Sequence, residues 1–483
     1  MPTILAIDQG TTRTKAYRLE EDGRFVVVGS IAHRQFHPNP GWVEHDPMEI
    51  LDIVRQLIAA AGAFDFLGLA NQGETVVAWH ARTKRPVHRA IVWQDMRTLE
   101  EVRRLQALGA EELVRNRAGL PLDPYFSATK LRWLLDHAEG TQELWARGWL
   151  RLGTTDAFLL DSLTGVYATD VSTASRTSLL DLRRLAWDKD LCDVFGVPPD
   201  CLPEIRPTVG DFGVVTRLDG GQAKAVASAV DQQAALSGHE CRARGDVKIT
   251  FGTGAFALGL TGEMPHSYGQ TGLLPTCAWQ IAGQPALYAL DGGIYTAAAA
   301  IDWLCEIGLL GRIEEIEGFG RPSASERGMM FVPAQAGLGC PFWDRSARGL
   351  WIGMDLETSR DDLCRAVVEG VALRAAQLVG AFGAELGEVR RISIDGGLSR
   401  SGYFSRFLAD ALGRSIDVAE TPDLTALGIA RLVASGQHTD IGRPRASWQK
   451  IEPSGPLPDE VHQRFADAVT RSRGWSGGVA NCA

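Results

Sequence analysis

Apolar positions near the start of the chain come in short runs broken by polar turn residues. Ile4-Leu5-Ala6-Ile7 is followed by Asp8-Gln9-Gly10-Thr11-Thr12, and then by a second strand-like run, Lys15–Leu19. Two short runs around a Gly/Thr turn predict a β-hairpin, and Phe25–Ile31 predicts a third strand. The period then lengthens. Met48–Ala61 has helical spacing, and Asp46-Pro47 carries the start signal. Phe66–Ala70 and Val76–Trp79 return to strand-like runs. Hairpins interleaved with helices predict α/β units, not a pure β sandwich.

The same pattern restarts about half a chain later. Val247–Phe251 predicts a strand, Gly252-Thr253-Gly254 a turn, and Ala255–Leu260 a second strand. A strand, a Gly-Thr turn and a strand thus occur twice, which predicts two similar lobes. Further on, Arg360–Phe382 is helical, Arg391–Ile394 a buried strand ending in Asp395-Gly396-Gly397, and Tyr403–Leu412 a helix. Ser415–Val418 reads as a strand and Leu424–Ala434 as a small-residue helix. The polar, glycine-flanked stretch Gly238–Gly245 marks the boundary. The expected domains are therefore 1–241 and 246–452, with a tail, 453–483, ending in one helix around Pro458–Arg473.

Thr296–Leu310 comes closest to an uncharged apolar run, but Asp302 and Glu306 interrupt it. It predicts a buried helix, not a membrane span, which needs roughly 18 apolar residues. Asp8 breaks the N-terminal apolar run and no basic segment precedes it, so a signal peptide is not expected.

Composition narrows the function classes. The 483 residues are 45% hydrophobic and 22% charged, an ordinary globular balance. Acidic residues outnumber basic ones, 59 to 49, for a formal charge of −10. Nucleic-acid binders need a basic footprint, so such a partner is not expected. The eight cysteines form no CxxC pair, which disfavours a zinc site and a disulfide framework. A reducing, cytoplasmic location follows.

Four segments carry candidate chemistry. In Asp8–Thr12, glycine and two threonines in a turn offer N–H groups and hydroxyls to a phosphate, and Asp8 offers a carboxylate to Mg²⁺. A plain turn with an acidic flank reads equally well. Gly252-Thr253-Gly254 repeats the device, or is simply a tight turn. Asp395-Gly396-Gly397 lets a backbone approach a flat ligand such as adenine, or is a short connection. Asp231, in Val230-Asp231-Gln232-Gln233, suits a general base or a helix N-cap. No GxxxxGK[ST], complete GxGxxG, HExxH or GxSxG is present, which weakens P-loop, dehydrogenase, metalloprotease and serine-hydrolase readings.

In order and content these segments resemble the FGGY carbohydrate kinases, and within them the glycerol-kinase branch. The resemblance covers residues 3 to 436 or so. It rests on Ile7–Thr12, Gly41–Pro47, Trp93–Thr98, Asp123–Ser127, Thr129-Lys130, Thr169–Leu179, Asp231–Gln233, Phe251–Gly254, Phe331–Gly353 and Asp395–Gly397. It implies two ribonuclease-H-like (actin/hexokinase-type) α/β domains flanking a catalytic cleft, and ATP-dependent phosphorylation of a small polyol or sugar. It further implies Asp231 as base, Glu74, Tyr125, Asp231 and Gln232 as acceptor-binding, Thr11, Thr12, Lys15, Thr253, Gly397 and Ser401 as nucleotide-binding, and Asp8 near Mg²⁺. A homodimer or homotetramer and no membrane partner would also be expected.

The chain departs from the branch at several points. Lys15 stands where those kinases carry Arg, Asp302 where they carry Gln, and Ser401 where they carry Asn. Gly73 stands where they carry the Arg of Asn-Gln-Arg-Glu. Losing that fork of donors would weaken glycerol binding by about 1.5–3 kcal/mol if nothing replaces it. The vacated volume would suit erythritol, threitol or a C4–C5 ketose of the xylulose or ribulose type. A non-catalytic sugar or nucleotide sensor on the same fold is the alternative from another class.

Overall fold

The structure is a computed structural model that describes residues 2–217, 219–269, 271–320, 322–421, 423–436 and 445–475. The first lobe is built on β1 (Ile4–Gln9), β2 (Arg13–Leu19), β3 (Phe25–Ala32), helix α1 (Pro47–Ala60), β4 (Phe66–Asn71), β5 (Val214–Thr216), β6 (Gln222–Val230) and helix α2 (Asp231–Gly238). The second uses β7 (Asp246–Phe251), β8 (Ala255–Gly262), β9 (Leu274–Trp279), β10 (Leu287–Ile294), helices α3 (Ala298–Glu306) and α4 (Arg360–Leu386), β11 (Arg391–Gly396), β12 (Ile416–Ala419), helix α5 (Leu424–Gly436), β13 (Trp448–Ile451) and helix α6 (Asp459–Ser472).

The two sheets repeat one topology. In the first, the order is β5-β6-β4-β1-β2-β3; in the second, β9-β10-β8-β7-β11-β12-β13. Each has a central antiparallel hairpin, β1–β2 or β7–β8, extended by a further antiparallel strand, β3 or β10. On the other side lie two parallel strands, β4 and β6 or β11 and β12. The expected duplication of α/β units is therefore present. β1 is buried along its whole length, as a strand covered on both faces must be, whereas the edge strand β3 is largely uncovered.

Local signals set the helix starts. The Asp46 carboxylate accepts from the Met48 and Glu49 N–H groups at 2.9 and 3.4 Å, with Pro47 in the first turn of α1. Ser359 and Asp362 form a reciprocal capping box at the start of α4. α4 is the one helix among the described residues long and apolar enough to cross a membrane. Its window is 72% buried in the second lobe's core, as a core helix is.

Some placements differ from the sequence expectation. Val76–His80 pairs in a separate four-stranded sheet with Glu44–His45, Ala90–Ile91 and Leu150–Thr154, outside the two repeated sheets. The stretch Thr296–Leu310 yields only the short α3, buried on one face through Ala300, Ile301 and Leu304, because Asp302 and Glu306 stay in water. The Gly238–Gly245 connection is not a solvated linker, for His239 is fully buried within it. Val461, Phe465, Ala468 and Val469 of α6 belong to the second lobe's core.

α2 and α5 occupy equivalent places in the two lobes and cross at glycines. A Cβ on Gly238 would lie 2.0 Å from the Leu424 carbonyl oxygen, and one on Gly428 would lie 1.7 Å from that of Ala234. Only glycine permits so close an approach. α5 packs on the first lobe's sheet, with Ala426, Ile429 and Val433 joining Ile4, Ala6 and Ala70 in one cluster. The lobes thus share a core beneath the cleft.

Candidate active site

α2 begins where β6 leaves the first sheet, so Asp231 and Gln232 stand at a strand's end facing the second lobe. Val230 occupies the N-cap position with no side-chain cap bond, and Asp231 is the first helical residue, its Oδ1 accepting from the Gln232 N–H at 2.6 Å. The carboxylate is therefore free of the cap role that the sequence left open. It lines an interlobe cavity of about 130 Å³ with Thr11, Glu74, Trp93, Tyr125, Arg176 and Gln232. Phe256, Leu258 and Asp291 close it from the second lobe.

Each wall residue is held by its neighbours. Glu74 lies in a turn after β4 with a positive φ of 60°. Its Oε1 accepts from Arg176 Nε at 2.7 Å, and Arg176 Nη2 reaches Asp291 Oδ2 at 2.8 Å. Arg176 Nη1 is buried without a hydrogen-bond partner among the described residues. Tyr125 sits on a loop whose carbonyls, at Pro124, Tyr125 and Phe126, all accept from the buried Lys130 ammonium at 2.8, 2.5 and 2.9 Å. Trp93 Nε1 donates to Thr11 Oγ1 at 2.9 Å, and its ring meets Tyr125 and Phe256 edge-on.

Burial dominates the electrostatics. It raises Asp231 to about 6, against the opposing pull of Lys248 and Arg176. Burial also raises Glu74 to about 7 despite the Arg176 guanidinium. Lys248, fully buried on β7, is lowered by burial and sustained by Asp395, Asp231 and Asp291. A carboxylate poised near neutrality beside a cavity is the arrangement a general base requires.

The hairpin turns lie beside this cavity. Thr12 and Thr253 are exposed at the tips of the β1–β2 and β7–β8 hairpins, and the Gly252 and Thr253 carbonyls accept from the N–H groups of Ala297, Ala298 and Ala299. Gly396, at a φ of 99°, lets β11 pass the Phe251 carbonyl, where a Cβ would lie 2.2 Å from the oxygen. Beside it, Gly397 faces open space. Ser401 caps the helix Gly402–Leu412, and Asp302 is exposed on α3. Thr12, Thr253, Gly397 and Ser401 lie outside the cavity lining, so the cavity gathers Thr11, Glu74, Tyr125, Asp231 and Gln232 from the expected set.

Lys15 forms an ion pair within the fold. Its Nζ lies 2.7 Å from Asp423 Oδ2, at the start of α5, and 4.0 Å from Asp8 Oδ2. Asp8 is pushed well above the usual carboxylate range by burial and by Asp423, with Lys15 opposing. The described residues offer no cluster of three or more metal-ligating side chains. Mg²⁺ on a nucleotide needs only one or two carboxylates, because phosphates and water complete its shell. Asp8, a buried carboxylate with Asp423 and Asp231 adding negative charge around it, would fit that demand.

Sequence reasoning missed Arg176, Asp291, Trp93, Phe256 and Lys248. Trp93 and Arg176 lie within segments that carried the resemblance, yet neither had a role there. Their signal would have been a charged or aromatic side chain in a buried segment without a local partner.

Comparisons with known proteins place the chain in a family. The profile for the N-terminal domain of the FGGY family of carbohydrate kinases matches residues 3–238, and that for its C-terminal domain matches residues 247–436. The chain belongs to the FGGY family of carbohydrate kinases. Among curated relatives, the glycerol kinase of Thermus brockianus is 41% identical, over 98% of this chain and 99% of that protein. The glycerol kinase of Alkalilimnicola ehrlichii is also 41% identical, over 99% of each chain. A crystal structure of Plasmodium falciparum glycerol kinase with ADP superposes with a TM-score of 0.90 at 29% identity, covering 98% of both chains. A xylulose kinase from Rhodospirillum rubrum, at 23% identity and a TM-score of 0.84 over 97% of this chain and 98% of that one, shares the fold. As an FGGY kinase the chain is a phosphotransferase acting on an alcohol group.

Proposed function

We propose that the chain transfers the terminal phosphoryl group of ATP to a hydroxyl of a small polyol, glycerol-like in size, held in the interlobe cavity. The observation that carries this reading is Asp231: a carboxylate raised to about 6 in an interlobe cavity of about 130 Å³. Above that pH it is ionised and takes the proton of the attacking hydroxyl. Glu74 and Gln232 hold the remaining hydroxyls, and Tyr125, Trp93 and Phe256 wall off water, whose attack would waste ATP. Arg176 Nη1, buried without a partner, supplies a donor to an acceptor oxygen. That donor bears on the loss at position 73, where a Cβ would stand 3.0 Å from Val230 Cγ1.

Thr11, Thr12, Thr253 and Gly397 offer backbone and hydroxyl donors to the nucleotide, with Ser401 beside it and Lys15 at its edge. Asp8 would hold Mg²⁺, which would supply charge neutralisation for the phosphoryl group. A cytoplasmic setting supplies the ATP.

A second reading, a four- or five-carbon acceptor, is favoured by a further chamber of about 30 Å³ that shares Tyr125, Arg176, Phe256 and Asp291 with the cavity. Leu274, Tyr295 and Trp343 extend it. A coupled ADP-release assay with glycerol, erythritol, threitol, xylulose and ribulose separates the two. Asp231→Ala should abolish turnover with every acceptor while ATP still binds. Turnover retained in purified Asp231→Ala would end the assignment of the base.

A further inference from the structure

Lys248 lies in the middle of β7, between Val247 and Ile249, and none of its surface is exposed. Its ammonium donates to Gln232 Oε1 and, at 3.1 Å, to Thr250 Oγ1. Thr250 is in turn bonded to Asp395 on the neighbouring strand. Both hydrogen-bond partners of this buried cation are neutral, while the carboxylates Asp395, Asp231 and Asp291 sustain its charge from farther off.

A carboxamide has one accepting end and one donating end, nearly equal in shape, and its neighbours decide which faces where. An ammonium carries three donors and no acceptor. Turned over, Gln232 would set its NH₂ against a fully buried ammonium, leaving two donors facing each other without water. Only Oε1 can face Lys248, which leaves the NH₂ group for the cavity that Gln232 lines.

We propose that Lys248 is a positioning residue that locks the Gln232 amide with its NH₂ toward the acceptor, so that the cavity demands an oxygen lone pair at that point. This rests on the reading of Gln232 as acceptor-binding. A hydroxyl or a carbonyl oxygen satisfies the demand; an ammonium does not. The rule applies equally to polyols and ketoses, and so constrains either acceptor class.

The test is a cycle of Gln232→Leu, Lys248→Met and the double variant, assayed by ADP release with the best acceptor of the panel. Each single change should raise the acceptor KM by about tenfold or more, the worth of one hydrogen bond, and leave the ATP KM within about twofold. The double variant should be no worse than the worse single one, because Lys248 acts through Gln232. Losses that multiply to about a hundredfold would overturn the proposal, as would an acceptor KM unmoved by Lys248→Met. Should Lys248→Met fail to fold, Lys248→Gln retains an uncharged donor for Oε1. It should keep the acceptor KM within about threefold of the parent, and a rise as large as that of Gln232→Leu would overturn the proposal. An acceptor KM unmoved by Gln232→Leu itself overturns the reading of Gln232 as well.

Discussion

Asp231 carries two consequences at the scale of a single residue. Its folded-state pKa is raised by burial from 3.8 to about 6, so the base is available only above that pH. kcat/KM for the acceptor should fall about tenfold for each unit below pH 6, and a profile flat down to pH 5 would contradict it. The same shift costs stability. Between pH 3.8 and about 6 the folded chain holds a proton that the unfolded chain releases, so the carboxylate destabilises the fold progressively as pH rises through that window. Asp231→Asn, which cannot ionise, should melt above the parent at pH 7.5 and close to it at pH 4. Equal melting temperatures at both values would show that burial of the charge is not the cause. Lys130 works through geometry instead, since its three protons go to the carbonyls of the loop that carries Tyr125. Lys130→Met should raise the acceptor KM by about tenfold with the ATP KM unchanged.

Among elements, α2 and α5 cross so closely that Gly428 leaves the least room for a Cβ of any described glycine. With 1.7 Å between a Cβ at Gly428 and the Ala234 oxygen, Gly428→Ala must push the helices apart, at a cost of about 3 kcal/mol or more. Gly380, on the exposed side of α4 with nothing within 4 Å of its Cβ, is the matched control. There alanine should stabilise by about 1 kcal/mol through helix propensity. Urea unfolding of the two variants should therefore move in opposite directions.

For the whole molecule, the two lobes meet through a shared core and through ion pairs that cross between them, Lys15–Asp423 and Arg345–Asp123. The acceptor cavity belongs to neither lobe alone. ATP and acceptor each stabilise the folded form by mass action, about 2.7 kcal/mol at a hundred times Kd. Adding both a non-hydrolysable ATP analogue and the acceptor should raise the melting temperature above either alone. No further rise with the second ligand would argue that the two sites are not formed together.

How much of this was legible in the sequence follows from the range of the forces involved. Hairpins, glycine turns, helix starts at Asp46 and Ser359, and the doubled strand-turn-strand pattern are set by neighbours a few residues apart. The periodicity of the chain therefore determined the α/β class and the two lobes, and Asp231 stood out as a carboxylate between small-residue runs, whereas Glu74 came only through the family resemblance. Arg176 and Lys248 did not stand out, because what makes them functional comes from other elements. Arg176 is flanked by carboxylates 102 and 115 residues away in sequence, at Glu74 and Asp291, and Lys248 faces Gln232 across the lobe boundary. Lys15, nucleotide-binding by resemblance, meets Asp423 408 residues away. Only tertiary structure decides such partners, because burial and charge act through space, while a sequence reports only what lies along the chain.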